Sequence, residues 1–211
     1  GGGVFKRSAK SIAISAEMKA RFDIKESKLA PNELIVALLK APVDLFWNGG
    51  IGTYIKSSRE SHADVGDKAN DALRVDGKDL RCKVIGEGGN LGVTQLGRVE
   101  YNLNGGKSNT DFIDNAGGVD CSDHEVNIKI LLNGAISSGD MTEKQRNLLL
   151  EEMTESVGDL VLDNNYRQTG AISVAEHEAL RRSSEYRRLI QSMEASGKLN
   201  RELEFLPTDE V

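Results

Sequence analysis

The densest run of reactive side chains in the sequence is Asp120-Cys121-Ser122-Asp123-His124-Glu125. A thiol, an imidazole and three carboxylates this close invite a metal site or a nucleophilic pair. The candidate ligands are consecutive, however, and no second Cys or His group stands at finger spacing, so no metal is expected. Nothing in the sequence orients His124, which leaves a Cys–His nucleophile incomplete. The run reads more simply as a helix N-terminus, with Asp120 or Ser122 as the cap and Asp123 and Glu125 at the positive end of the dipole. Hydroxyl and N–H donors at such an end also suit a carboxylate substrate. His62 and His177 lie in polar segments and carry no expected role.

A second candidate is rich in glycine. Lys83-Val84-Ile85 breaks into Gly86-Glu87-Gly88-Gly89-Asn90-Leu91-Gly92, followed by a helix-permissive segment from Val93 to Leu103. Gly86, Gly88 and Gly92 come close to the dinucleotide fingerprint, in which glycines let backbone approach a pyrophosphate at a helix N-terminus. The third glycine is one position late, and glycine-rich turns also join strands to helices without binding anything. Thr110 to Asp114 shows a second strand pattern, ending at Asn115-Ala116-Gly117-Gly118-Val119. An acid at the end of that strand, Asp114, suits a ribose hydroxyl. Asn90 and Asn115 then occupy equivalent places, each past a strand among glycines. A carboxamide there offers donor and acceptor together, as a ribose or an amide requires, although Asn also tolerates left-handed turns.

These groups need elements to hold them. Two strands that stop at glycines, joined by a helix, predict a βαβ unit across Lys83–Asn133, with ligands beyond the carboxyl ends of the strands. Upstream, Pro31 opens a helix whose apolar residues Leu34, Ile35, Leu38 and Leu39 share one face. Val43 to Trp47 reads as a buried strand closed by Asn48-Gly49-Gly50-Ile51-Gly52-Thr53, and Ser11 to Ile14 as a short extended piece. Downstream of Gly134 the pattern turns helical. Thr142 and Gln145 fit one capping box and Ser173 and Glu176 a second, with Gly197 as a stop. The sequence thus predicts α/β structure over residues 1–133 and helices over 134–211.

Composition narrows the function classes. The chain has 211 residues and a net charge of −6, with a pI near 5.2 and both signs interspersed. This argues against a nucleic-acid or anionic-membrane partner. No apolar run is long enough to span a bilayer, and no signal-peptide pattern opens the chain. Two cysteines, Cys82 and Cys121, make a poor disulfide framework, so a reducing cytoplasm is expected. The start Gly-Gly-Gly-Val, without an initiator Met, reads as a piece of something longer.

Gly86-Glu87-Gly88-Gly89-Asn90, Asn115-Ala116-Gly117-Gly118-Val119 and Ser122 resemble the glutamate dehydrogenases. Phe46 to Thr53, Ser61 to Asp67 and Asp120 to Lys129 are similar, more narrowly, to the large bacterial NAD-specific enzymes. The resemblance implies a partial Rossmann-like, doubly wound domain, the second half of the NAD-binding domain, followed by an all-helical C-terminal segment. It implies oxidative deamination of L-glutamate to 2-oxoglutarate and ammonia with NAD as hydride acceptor. Asn90 would contact the nicotinamide-side ribose, Asn115 the nicotinamide region, and Asn48, Gly49, Gly50 and Gly88 would lie along the cofactor. Ser122 would bond the distal carboxylate of glutamate. The family's glycine fingerprint, catalytic lysine and catalytic aspartate would all lie upstream, so no catalytic residue is assigned here and the fragment alone should be inactive. NAD rather than NADP rests on the resemblance alone. It also implies a homo-oligomer formed through the full-length chain. A leucine- or phenylalanine-type dehydrogenase is the neighbouring alternative, against which a hydroxyl at Ser122 favours a side-chain carboxylate. A helical assembly or regulatory module of a larger enzyme is the other.

Overall fold

In the computed structural model, which describes residues 2–209, an antiparallel pair, β1 (Ile12–Ala13) and β2 (Lys28–Leu29), brackets helix α1 (Ala16–Phe22). Gly1, Glu210 and Val211, which the sequence-based ranges include, lie outside the described residues. Helix α2 (Pro31–Leu39) starts at Pro31, where a missing N–H breaks no helical bond, and the Glu33 carboxylate accepts from the Ala30 N–H at 2.7 Å. Strand β3 (Leu45–Asn48) follows, then β4 (Ile55–Lys56), the short helix α3 (His62–Val65) and β5 (Val75–Asp76). Strand β6 (Val84–Glu87) leads through helix α4 (Gln95–Leu103) to β7 (Lys107–Ser108).

The strands β3, β6 and β7 form one parallel sheet in the order β3-β6-β7, with Trp47 opposite Gly86 and Asn48 opposite Glu87. The unit β6-α4-β7 is therefore a βαβ unit, as expected of this stretch, but its second strand is Lys107–Ser108 and not the 110–114 run. The strands β4 and β5 pair separately, also in parallel. Phe46 and Ile85 turn toward a core made with Leu39, Ile55, Val75, Cys82, Val93 and Tyr101. Leu45, Trp47 and Val84 alternate onto the other face and are exposed. Buried Tyr101 donates to the Cys82 carbonyl at 3.0 Å, and burial pushes its phenol pKa up. A second cluster, Ile12, Ile14, Ile24 and Leu34, holds α2 to the β1-β2 pair.

One expected strand is a helix. Residues 110–114 do not pair; α5 (Asp111–Asp114) is a single helical turn, and β7 falls in what reads as a polar turn. A short run alternating Asp with Phe and Ile satisfies either period. Here the amides of Ile113 and Asp114 return to the Thr110 carbonyl, and both aspartates are held by backbone N–H groups elsewhere.

Helix α6 (Ala116–Ser138) then runs unbroken to Gly139, which stops it in the left-handed conformation. The change of texture expected near Gly134 lies inside this helix, and the chain divides into compact units at Gly1–Asp114 and Asn115–Val211. Within the second unit come α7 (Glu143–Glu152), α8 (Thr154–Glu178) and α9 (Ser183–Ala195), with α6 and α7 both against α8. Thr142 and Gln145 form the expected capping box at α7. Ser173 and Glu176 form none. They sit inside α8, where the Ser173 hydroxyl donates to the Thr169 carbonyl, one turn back, at 3.0 Å.

Candidate functional site

Strands β3 and β6 end side by side at Asn48 and Glu87, and each leaves the sheet through glycines. The two loops meet backbone to backbone. The Gly88 N–H donates to the Asn48 carbonyl at 2.8 Å, and a Cβ added to Gly89 would stand 2.6 Å from the Gly50 carbonyl oxygen. The Trp47 indole lies across Gly86 and Gly88, where an added Cβ would come within 2.5 Å of the ring at either position. The structure thus gathers Asn48, Gly49, Gly50, Gly88 and Asn90 at the carboxyl ends of two parallel strands. Asn90 is exposed at the tip of its loop. Asn48 is not: it is buried, its Nδ2 has no hydrogen-bond partner, and a Cβ on Gly92 would lie 1.6 Å from that nitrogen.

The Gly88–Gly92 loop has no regular structure, yet most of its later backbone groups are tied. Leu91 has a left-handed φ of 54°, which a branched apolar side chain resists. Its N–H donates to Asp111 Oδ2 at 2.8 Å and its carbonyl accepts from Thr53 Oγ1 at 2.6 Å. The Gly92 carbonyl accepts from the Tyr54 and Ile55 N–H groups. The Val93 N–H donates to Glu87 Oε1 at 2.9 Å. Glu87 is fully buried, and Arg98 of α4 donates to its two oxygens at 2.7 and 3.3 Å. The same guanidinium lies 3.3 Å from Asp111. Burial pushes the Glu87 carboxyl above its usual range, while the Arg98 hydrogen bond and charge pull it back.

The neighbouring loop is held in the same manner. The Thr53 N–H donates to Asp67 Oδ2 at 2.8 Å, and Asn70 donates to the same oxygen. These bonds, the Asn70 one foremost, hold the Asp67 carboxyl below its usual range. Arg74, its side chain sealed from solvent, donates to the Thr53 carbonyl at 2.8 Å and to Asp71 at 2.7 Å.

Other expectations change. Asp114 is occupied within the fold, accepting from the Glu87 N–H and from Asn109 at 3.1 Å each, and does not end a strand. Asn115 does not follow a strand either. It is the N-cap of α6 in the second unit, and its carboxamide lies over Gly118, where a Cβ would meet Oδ1 at 2.6 Å. Neither Asp120 nor Ser122 caps the helix, because α6 begins at Ala116 and both lie in its second turn. Ser122 is exposed. Asp120 accepts from Asn164 of α8 at 3.1 Å and stands 3.3 Å from His124, an internal tie between two helices. Both cysteines are free thiols, and no group of three metal-ligating side chains occurs among the described residues. No helix among them is long and apolar enough to cross a membrane.

Sequence reasoning missed Glu87, Arg98, Asp67 and Arg74. A glutamate inside the apolar run Val84-Ile85-Gly86-Glu87 was the available signal, since a buried carboxylate demands a partner.

Comparison with known proteins adds a family. Residues 1–175 match the family described as bacterial NAD-glutamate dehydrogenase, catalytic domain. The chain is 72% identical over 210 residues to a protein of Pseudomonas aeruginosa named NAD-specific glutamate dehydrogenase. Proteins of the same name from Halomonas elongata and Mycobacterium tuberculosis are 63% and 50% identical over 210 and 215 residues. The alignments cover 99% or more of this chain but 13% of each relative.

Proposed function

The chain belongs to the bacterial NAD-glutamate dehydrogenase family, and from that membership we propose that its full-length parent oxidatively deaminates L-glutamate to 2-oxoglutarate and ammonia with NAD. The observation that carries this reading is the pair of glycine loops meeting beyond the carboxyl ends of β3 and β6, where open α/β sheets bind their ligands. In this reading residues 1–133 supply the second half of a Rossmann-like NAD-binding domain, and 134–211 a helical C-terminal region.

The residues fit a dinucleotide. Gly49 and Gly50 leave the end of β3 without side chains of their own, which allows close approach of a ligand, and Gly88 lies beside them under the Trp47 indole. Asn90 offers a carboxamide to the ribose on the nicotinamide side. Asn48 contributes through its backbone, since its side chain is buried beneath Gly92. Asn115 serves the nicotinamide region, and Ser122 donates its exposed hydroxyl to the distal carboxylate of glutamate. NAD supplies the hydride acceptor. The catalytic lysine and aspartate implied by the resemblance belong to the rest of the parent, so the 211 residues bind and orient without completing the reaction. An acceptor for an apolar side chain, as in leucine- or phenylalanine-type enzymes, would gain nothing from a hydroxyl at 122.

A second reading has its own observation. Leu162, Tyr166, Val174 and Leu180 are 62–96% exposed on or just beyond α8. Such a surface suits packing against other parts of a homo-oligomer, within a reducing cytoplasm where Cys82 and Cys121 stay thiols.

The test is glutamate-dependent NAD reduction by the full-length parent beside Ser122→Ala and Asn90→Ala. Losing one charge-assisted hydrogen bond should cost Ser122→Ala about ten- to a hundredfold in kcat/KM for glutamate. Asn90→Ala should weaken NAD instead. Turnover of leucine or phenylalanine in place of glutamate would overturn the substrate assignment.

A further inference from the structure

Arg98 is shared by two carboxylates that each hold a backbone N–H in or just after the Asn90 loop. Glu87 accepts from the Val93 N–H, Asp111 accepts from the Leu91 N–H, and the Arg98 guanidinium reaches Glu87 at 2.7 Å and Asp111 at 3.3 Å. A third contact, to Gln95 Oε1 at 3.2 Å, keeps the fork on its own helix. Arg98 and Glu87 are both buried, and neither reaches the loop tip where a ligand would bind. We propose that Arg98 is a positioning residue for the cofactor, fixing the Asn90 carboxamide by locking the loop on either side of Leu91 through Glu87 and Asp111. This inference rests on the reading of Asn90 as a cofactor ligand.

The geometry explains why a loop of this kind needs such a lock. Asn90 stands between Gly89, packed against the Gly50 backbone, and Leu91, which is held at a positive φ against its own preference. Released from Asp111, Leu91 would relax to a right-handed or extended conformation, and the carboxamide next to it would turn away. Two carboxylates that share one neighbourhood disfavour each other's charged form, and a cation reaching both offsets this. A planar fork can serve both carboxylates at once, and a lysine ammonium, a single point charge, serves one.

The experiment uses the full-length parent with Arg98→Met, Asp111→Ala and Asp111→Asn, each checked for folding by circular dichroism. Asp111→Asn keeps an oxygen for the Leu91 N–H and should retain a KM for NAD close to wild type. Asp111→Ala and Arg98→Met should raise the KM for NAD about ten- to a hundredfold while leaving the KM for glutamate unchanged. A double-mutant cycle supplies the decisive reading. Combined with Asn90→Ala, Arg98→Met should add little further loss, because it acts through Asn90. Full additivity, or equal losses for both substrates that track the folded fraction, would reduce Arg98 to a structural residue and overturn the proposal. If Arg98→Met fails to fold, Asp111→Ala against Asp111→Asn decides the matter, and equal NAD affinity in those two also overturns it. A parent that turns over no glutamate overturns the functional reading itself. A parent that turns over glutamate, with variants that bind NAD as wild type does, overturns only this inference.

Discussion

A methyl group added at Gly89 would stand 2.6 Å from the Gly50 carbonyl, and one added at Gly92 would stand 1.6 Å from Asn48 Nδ2. Added at Gly117, Gly134, Gly158 or Gly170 it would meet nothing within 4 Å. The first pair belongs to the α/β unit and the second group to the helices of the other unit. The same residue type therefore does opposite things. In the α/β unit glycine lets two loops touch at the strand ends. At those four helix positions it only adds backbone freedom that folding must remove. The polar groups divide in the same way. Asn48, Thr53, Lys56, Ser57, Arg74, Glu87 and Arg98 are the buried polar residues among those described, and all lie in the α/β unit. The helical unit carries surface pairs one turn apart, such as Arg167–Asp163 and Arg182–Glu185, each worth only about 0.2–0.5 kcal/mol. Buried polar networks specify one geometry and fail abruptly, whereas solvated helix pairs tolerate change.

The largest expected effect comes from breaking that buried network. Glu87→Ala would leave the Arg98 guanidinium buried without its main partner and the Val93 N–H without an acceptor. Breaking a buried pair in this way costs about 3–5 kcal/mol. Hydrogen exchange in the full-length parent would report it as loss of protection at Val93 and Leu91, with helices α6 to α9 unchanged. Protection that stays at wild-type level would remove the contrast between the units. A smaller effect is expected at Gly89→Ala, where neither loop can yield without moving backbone. Overpacking of this kind costs about 1–3 kcal/mol, and a loss under a few tenths would mean that the loops are not pressed together. The denaturation midpoint of the α/β unit measures it.

What the sequence revealed follows the same division. Elements with local signals were legible: Pro31 at the start of α2, the apolar run of β3, the Gly break after β6 and the Thr142 capping box all depend on neighbours within a turn. The βαβ plan was legible too, because a strand, a helix and a strand allow few topologies, although β7 itself lies in what reads as a polar turn. Residues 110–114 were not, since Asp-Phe-Ile-Asp carries no period long enough to separate strand from turn, and the contacts that decide it come from Leu91 and Glu87. Ser173 and Glu176 have the spacing of a cap without the extended entry that makes one. At the site, Asn90 and Gly88 stood out from the glycine pattern after a strand, and Gly50 through the resemblance. The partnership of Glu87, Arg98 and Asp111 did not, because its contacts join residues more than ten positions apart and depend on a helix folding back across a strand.

The smallest effect sharpens the comparison most, because its sign is opposite. Gly158 lies in the interior of α8 with open space where a side chain would go, and its φ is not in the left-handed region. Alanine there removes freedom from the unfolded chain and creates no collision. Gly158→Ala should therefore stabilise the helical unit by about 0.5–1 kcal/mol. Thermal melting beside Gly89→Ala would give shifts of opposite direction from the same substitution. If Gly158→Ala destabilises instead, that helix face is covered in the parent, and the openness of the helical unit would belong to this stretch of chain rather than to the full-length protein.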